Sequence, residues 1–120
     1  MRDFKGLQVW EKSHALSLGI YKATAAFPKE ELYGLISQMR RAVVSIAANI
    51  AEGCGRGGNA DFARFLQIAF GSASELEYLL LLSRDIEYLK PADYERYSAD
   101  VMEIKRMLTG LMQKLREDDK

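Results

Sequence analysis

The residues best spaced for chemistry in this 120-residue chain lie in one glycine cluster, Gly53-Cys54-Gly55-Arg56-Gly57-Gly58. Gly53, Gly55 and Gly58 satisfy G-x-G-x-x-G, a nucleotide-binding fingerprint that has meaning only between a strand and a helix of a βαβ unit. Here the cluster follows helix-patterned sequence. Two readings stay open: a helix cap and turn, or free backbone N–H groups at the start of the next helix that hold a phosphate with Arg56 and Arg64. The other reactive side chains are isolated. His14 is the one imidazole and sits among Trp10, Ser17 and Tyr21 with no sequence-local acid. Cys54 would be a nucleophile only if a helix terminus or a base lowered its pKa, and no paired base is evident. Glu75 with Glu77, and Asp118 with Asp119, are too close along a helix to share a face. No H-E-x-x-H, Glu-x-x-His or phosphate-loop lysine pattern occurs, and one cysteine with one histidine cannot build a structural zinc site. No catalytic residue, metal, cofactor or small-molecule substrate is expected.

What must position these residues is helical. The prolines, Pro28 and Pro91, and the glycine cluster divide the chain into four long segments. From about Leu7 to Ala26, Val9, Leu16, Ile20, Ala23 and Phe27 recur on one helical face. From about Pro28 to Gly53, with Pro28 in the first turn, Leu32, Leu35, Ile36, Met39, Val43, Ile46 and Ile50 form a stripe. From about Ala60 to Tyr88, capped by Asn59, the stripe is Phe62, Phe65, Leu66, Ala69, Ala73, Leu76 and Leu80. It passes in phase through Gly71, which predicts an unbroken helix even though a mid-helix glycine costs about 1 kcal/mol. From about Pro91 to Arg116, Tyr97, Val101, Ile104, Leu108, Leu111 and Leu115 alternate at coiled-coil spacing. Short connections between helices of similar length predict one domain over 1–120, an all-α, up-down-up-down antiparallel four-helix bundle.

The second segment carries a further signal. Its far side is small and apolar, with Val44, Ala47, Ala48 and Ala51, and Gln38, Arg41, Ser45, Asn49 and Glu52 form a narrow polar ribbon between the two faces. A helix apolar on two sides is ordinarily buried on two sides, which in so small a bundle requires a partner chain. The ribbon is expected to bond within itself and to neighbouring helices, and to fix register between subunits, because a polar group buried without a partner costs about 1 to 3 kcal/mol.

Composition bounds the rest. Hydrophobic residues make up 48% and charged residues 28%, and the longest purely apolar run is Leu79 to Leu82, far short of the roughly 20 residues of a membrane helix. With no leader-like N-terminus and a single cysteine, a soluble cytoplasmic protein with no membrane partner is expected. Net charge is zero, but residues 1–59 carry eight basic and five acidic side chains and residues 60–120 carry nine and twelve. Nucleic-acid binding would therefore need a local patch rather than an overall basic domain.

Several stretches resemble one family. Phe4-Lys5-Gly6-Leu7-Gln8-Val9-Trp10, Phe27-Pro28-Lys29-Glu30-Glu31-Leu32-Tyr33-Gly34-Leu35 and the run Gln38-Met39-Arg40-Arg41 through Ser45-Ile46-Ala47-Ala48-Asn49-Ile50-Ala51-Glu52-Gly53 are similar to the bacterial four-helix-bundle family of the 23S rRNA intervening-sequence protein. Phe62-Ala63-Arg64-Phe65-Leu66-Gln67-Ile68-Ala69 and Gly71-Ser72-Ala73-Ser74-Glu75-Leu76-Glu77 resemble it as well. The resemblance implies a barrel-like homopentamer and no enzyme. Family members are encoded in insertions of bacterial 23S rRNA genes, and a similar protein serves as nucleic-acid-binding accessory to the reverse transcriptase of diversity-generating retroelements. Arg40, Arg41, Ser45, Asn49, Glu52 and Gly53 match the family pattern. A retroelement accessory is expected to be distinctly basic, and this chain is neutral. The leading expectation is an oligomer that binds RNA, or an RNA-containing assembly, through Lys12, Lys22, Arg40, Arg41, Arg56 and Arg64, gathered from several subunits. In it Gln38, Val44, Ser45, Ala48, Asn49, Ala51 and Glu52 are the interface or polar ribbon. The alternative is a structural or adaptor oligomer that binds another protein and no nucleic acid.

Overall fold

A computed structural model describes residues 2–118 and contains four long helices: α1 (Gln8–Thr24), α2 (Leu35–Cys54), α3 (Asn59–Asp85) and α4 (Pro91–Asp118). Asp119, paired with Asp118 in the sequence reading, lies outside the described residues. Short 3-10 turns at Phe4–Gly6 and Lys29–Glu31 precede α1 and α2. Among the described residues no strand occurs.

Contacts across each seam fix the topology. Arg40 of α2 reaches Thr24 and Tyr21 of α1, Ser45 meets Ser72 of α3, Lys105 of α4 meets Glu77 of α3, and Lys12 of α1 meets Asp100 of α4. A second contact along each seam, Ser17 with Val43, Ser83 with Met39, Arg84 with Tyr94 and Gly19 with Tyr97, shows residue numbers rising on one helix as they fall on the other, so all four seams are antiparallel. Helices pack around a square, with α2 against α3 the most extensive contact and α1 against α4 the least, and with no diagonal packing. The expected up-down-up-down bundle is the observed one.

The core follows the sequence stripes. Val9, Leu16, Ile20, Met39, Val43, Ile46, Ile50, Phe62, Leu66, Leu76, Leu80, Val101, Ile104 and Leu108 are buried in one cluster. Burying each large aliphatic side chain of this kind contributes about 1.5 to 3 kcal/mol. The inward face of α1 is less apolar than the others, since it also carries Ser13, Ser17 and Thr24. Their hydroxyls donate back to Val9, Ser13 and Ile20 carbonyls at 2.7, 3.0 and 2.7 Å, which satisfies them without a partner helix. α3 is the opposite case: an 18-residue window reaches a mean hydropathy of 1.3, enough in length and composition for a weak membrane span. Its buried row from Phe62 to Leu80 also makes it the central core helix of the bundle.

Two boundaries depart from the sequence reading. α2 begins at Leu35, not at Pro28. Pro28 opens the 3-10 turn instead, and Gly34, at φ −112° and ψ −110°, breaks the path between turn and helix. Glu31 Oε1 then accepts from the Leu35 N–H at 3.3 Å. Leu32, expected on the core stripe, is consequently 47% exposed and Tyr33 is 93% exposed. At the start of α3, Gly58 holds the N-cap position and Asn59 is already helical. Its Oδ1 accepts from Arg2 Nη2 at 2.6 Å. α3 does run unbroken through Gly71, and a Cβ placed there would meet nothing within 4 Å, so no close approach within the chain accounts for that glycine.

Candidate functional site

The surface has two distinct flanks on either side of an exposed ridge of α1, whose crest is Leu18, 62% exposed. Toward α2 the flank is apolar. Trp10, His14, Ser17, Leu18 and Tyr21 from α1 face Val44, Ala47, Ala48 and Ala51 from α2 across a groove of about 410 Å³. The groove continues into a second of about 590 Å³, where Tyr21 and Val44 meet Leu32, Tyr33 and Ile36 and where Arg40 and Arg41 sit. The shallow floor has a direct cause: alanines at 47, 48 and 51 present only methyl groups, so Trp10, Leu18 and Tyr21 stand above them. The expected small apolar face of α2 therefore exists and is exposed, Val44 by 43%.

Toward α4 the flank is polar. Ala15, Leu18, Gly19, Lys22 and Ala23 of α1, with Ala26 just past its end, border a groove of about 530 Å³ whose far wall is Tyr88, Leu89, Lys90, Asp93, Arg96 and Tyr97. The Tyr97 ring packs tightly on Gly19, where a Cβ would lie 2.8 Å from Tyr97 Cε1.

The polar ribbon of α2 is partly bonded. Asn49 Nδ2 donates to the Ser45 carbonyl at 2.8 Å and to Ser45 Oγ at 2.9 Å, and Ser72 Oγ of α3 donates to Ser45 Oγ at 2.8 Å. Glu52 takes Arg56 at 2.8 Å. Gln38 and Arg41 have no side-chain hydrogen bond or ion pair among the described residues; with Ser45, Ser72 and Glu75 they border a shallow groove between α2 and α3.

The six cations nominated from sequence do not converge. Lys12 bridges to Asp100 and Glu103 of α4 at 3.4 and 3.2 Å. Partial burial works against its charge, but the Glu103 hydrogen bond and the Asp100 and Glu103 carboxylates outweigh it and hold the ammonium above its usual 10.5. Arg40 is built into the α1/α2 seam: its Nε donates to Thr24 Oγ1 at 3.0 Å and Nη2 to the Tyr21 carbonyl at 3.2 Å, with the guanidinium 4.6 Å over the Tyr21 ring. Arg56 and Arg64 both lie over Phe65, at 4.9 and 4.5 Å, and are paired with Glu52 and Asp61. Only Lys22 and Arg41 of the six lack a hydrogen bond or ion pair among the described residues. Lys22 and Arg40 lie near one end of the bundle and Arg56 and Arg64 near the other.

The glycine cluster is a cap and turn. Gly55 closes α2 in right-handed backbone conformation, its N–H donating to the Glu52 carbonyl at 3.0 Å. Gly53 has a packing role: a Cβ there would fall 2.8 Å from Phe62 Cδ1 and 2.9 Å from Phe65 Cβ. Cys54 is buried, and burial pushes its thiol above the usual range against the weaker opposing pull of Arg2, so the sulfur is a packed side chain. His14 stacks on Trp10 at 5.1 Å, nearly parallel, and is exposed. Among the described residues no three His, Cys, Asp or Glu side chains converge on one point.

Sequence reasoning missed the N-terminal arm. The Arg2 N–H donates to the Cys54 carbonyl at 3.1 Å, and its guanidinium lies 4.5 Å over Phe62. These contacts span more than 50 residues, and no local pattern signals them. It also missed Lys90 and Arg96, which the antiparallel order of α1 and α4 places opposite Lys22.

Fold and surface together define a helical bundle whose distinguishing features are its exposed flanks. The family model described as 23S rRNA-intervening sequence protein matches residues 5–110, and the chain belongs to that family. A protein of unknown function of the S23 ribosomal protein family from Bacteroides thetaiotaomicron VPI-5482, known from a crystal structure, is 32% identical. It superposes with a TM-score of 0.78 over 87% of this chain and 97% of its own. No curated protein matches.

Proposed function

We propose that this chain is a non-enzymatic helical bundle that works as a homo-oligomer and, once assembled, binds RNA. The observation that carries the oligomer is the apolar flank between α1 and α2, where Leu18, Tyr21, Leu32, Tyr33 and Val44 are exposed side by side with alanine methyls between them. Large contiguous apolar patches on soluble proteins mark interaction sites, and burying this one against a second copy removes its cost to water. A closed ring of five is the expected assembly, in keeping with the family resemblance. RNA is the proposed ligand because the family description concerns rRNA and because cations without carboxylate partners among the described residues remain on the surface, Arg41 beside this flank and Lys22 in the groove toward α4.

A second reading has its own support. Four of the six cations nominated from sequence are already engaged within the chain, which favours an adaptor oligomer that binds protein alone. Size-exclusion chromatography with light scattering and absorbance at two wavelengths separates the two. An oligomeric mass with excess nucleic-acid absorbance that disappears at high salt supports RNA binding. A nucleic-acid-free oligomer supports the adaptor, and a monomer refutes both.

A further inference from the structure

Several cations on this surface are neutralised in place by carboxylates. Lys105 pairs with Glu77 at 2.8 Å, Arg84 with Asp85 at 2.9 Å, and Lys12, Arg56 and Arg64 have the carboxylates described above. The groove between α1 and α4 gathers three that are not. Lys22 on one wall and Lys90 and Arg96 on the other are exposed, and none has a side-chain hydrogen bond or ion pair among the described residues. Arg96 has only the Tyr97 ring, 5.5 Å from its guanidinium carbon. One carboxylate, Asp93, shares the groove, so three positive charges stand against one negative.

The remaining lining suits a phosphate-bearing chain. Ala15 and Ala23 of α1, with Ala26 just past its end, keep that wall low, so a ligand backbone can approach it closely. Tyr97, only 6% exposed, borders the groove, and its hydroxyl has no hydrogen-bond partner among the described residues. That O–H is therefore available to donate to a phosphate oxygen in the groove. Like charges held together on opposite walls repel one another, and a polyanion passing between them relieves that repulsion while releasing its own counterions.

We propose that the α1/α4 groove, through Lys22, Lys90, Arg96 and the Tyr97 hydroxyl, is the seat for the phosphodiester backbone of single-stranded RNA. The proposal rests on the RNA-binding reading above and gives it a site that differs from most of the cations sequence nominated. It also leaves the α1/α2 flank free for assembly.

The test is binding of a fluorescein-labelled oligouridylate of about 20 nucleotides, long enough for a typical single-strand site, to the full-length oligomer across a salt series. Three variants are compared with the unaltered protein: Lys22→Gln/Lys90→Gln/Arg96→Gln, Asp93→Asn, and Lys114→Gln/Arg116→Gln as a control that removes two cations near the far end of α4. Each single-strand phosphate contact contributes about 0.7 to the slope of log affinity against log salt, so the triple variant should flatten that slope by about 2 and weaken binding at least ~10-fold. Asp93→Asn should tighten binding, and the control should leave affinity unchanged. All the altered side chains except Asp93 are exposed, and helical circular dichroism with assembly mass verifies that each variant is folded. Binding by the unaltered protein that the triple variant retains in full overturns this site while sparing the RNA reading. Absence of binding even at low salt overturns both. Complete displacement of the oligonucleotide by uridine monophosphate at equal phosphate concentration overturns the polymer assignment in favour of a free nucleotide.

Discussion

The two flanks of α1 are built from the same helix, yet they present opposite chemistry. Facing α2, its neighbours are the methyl groups of Ala47, Ala48 and Ala51, and the groove is bordered almost wholly by carbon. Facing α4, they are Lys90, Asp93, Arg96 and Tyr97, and the groove is charged. The facing sides differ, alanine methyls on one and Lys90, Asp93 and Arg96 on the other, and α1 adds to the contrast, giving Trp10, His14 and Tyr21 to the first and Ala15, Gly19, Lys22 and Ala23 to the second. Side chains across each seam then decide whether it attracts a second copy or a polyanion.

That contrast can be broken most severely on the apolar flank. Ala48→Glu places a carboxylate where subunits are expected to meet, and the mass measured by light scattering should fall from oligomer to monomer while helical content is kept; an intact assembly would put the interface elsewhere. On the polar flank the largest effect on stability should come from Gly19→Ala, whose methyl would sit 2.8 Å from the Tyr97 ring. Overpacking of this kind costs about 1 to 3 kcal/mol, read as a lower midpoint in urea, and no change would mean that α1 and α4 can part freely. Gly71→Ala, on the exposed face of α3 far from either groove, should do the reverse and add up to about 1 kcal/mol, since nothing lies within reach of its Cβ. A loss instead would show that a subunit packs on that glycine.

The smallest effect concerns Lys12. Its folded pKa is raised above 10.5, so the stability it contributes is fully present below about pH 10.5 and is lost as pH rises through the folded value. Lys12→Gln should cost less than about 1 kcal/mol at neutral pH, as expected of a partly exposed ion pair, and the gap between variant and parent should narrow in unfolding curves taken as pH rises through the folded value. A gap that persists there would mean that packing of the lysine stem, and not its charge, joins the helices.

The helices and most of the core were legible because periodicity is a local property: Val43, Ile46, Ile50, Leu66 and Leu80 occupy the interior as their spacing requires. The small face of α2 was legible for the same reason. Helix starts were less so. Pro28 and Asn59 are good opening residues in isolation, but Gly34 and Gly58 set the actual boundaries through backbone geometry. The cations were the least legible. Whether an arginine is free depends on what lies opposite it, and Arg40 is taken by Thr24 and Tyr21 while Lys12 is taken by Asp100 and Glu103, partners 16 to 91 residues away. Lys90 and Arg96 could be paired with Lys22 only once α1 and α4 were known to run antiparallel and adjacent.

The serine-lined inner face of α1 has a kinetic consequence. Ser13, Ser17 and Thr24 each donate to a carbonyl of their own helix, so departure of α1 leaves none of these hydroxyls without an acceptor; it breaks the Arg40 bonds to Thr24 and Tyr21 and the longer Ser17 contact with Val43, and its seam with α4 joins the segments farthest apart in sequence. Closing such a long loop is entropically late in folding, whereas the α2–α3 hairpin is both local and the most extensively packed. Amide hydrogen exchange should therefore find α2 and α3 protected to the level of global unfolding, with α1 released earlier as a separate cooperative unit. Detachment of that one helix would dismantle both grooves at once, so assembly and ligand binding would each act as a brake on its departure.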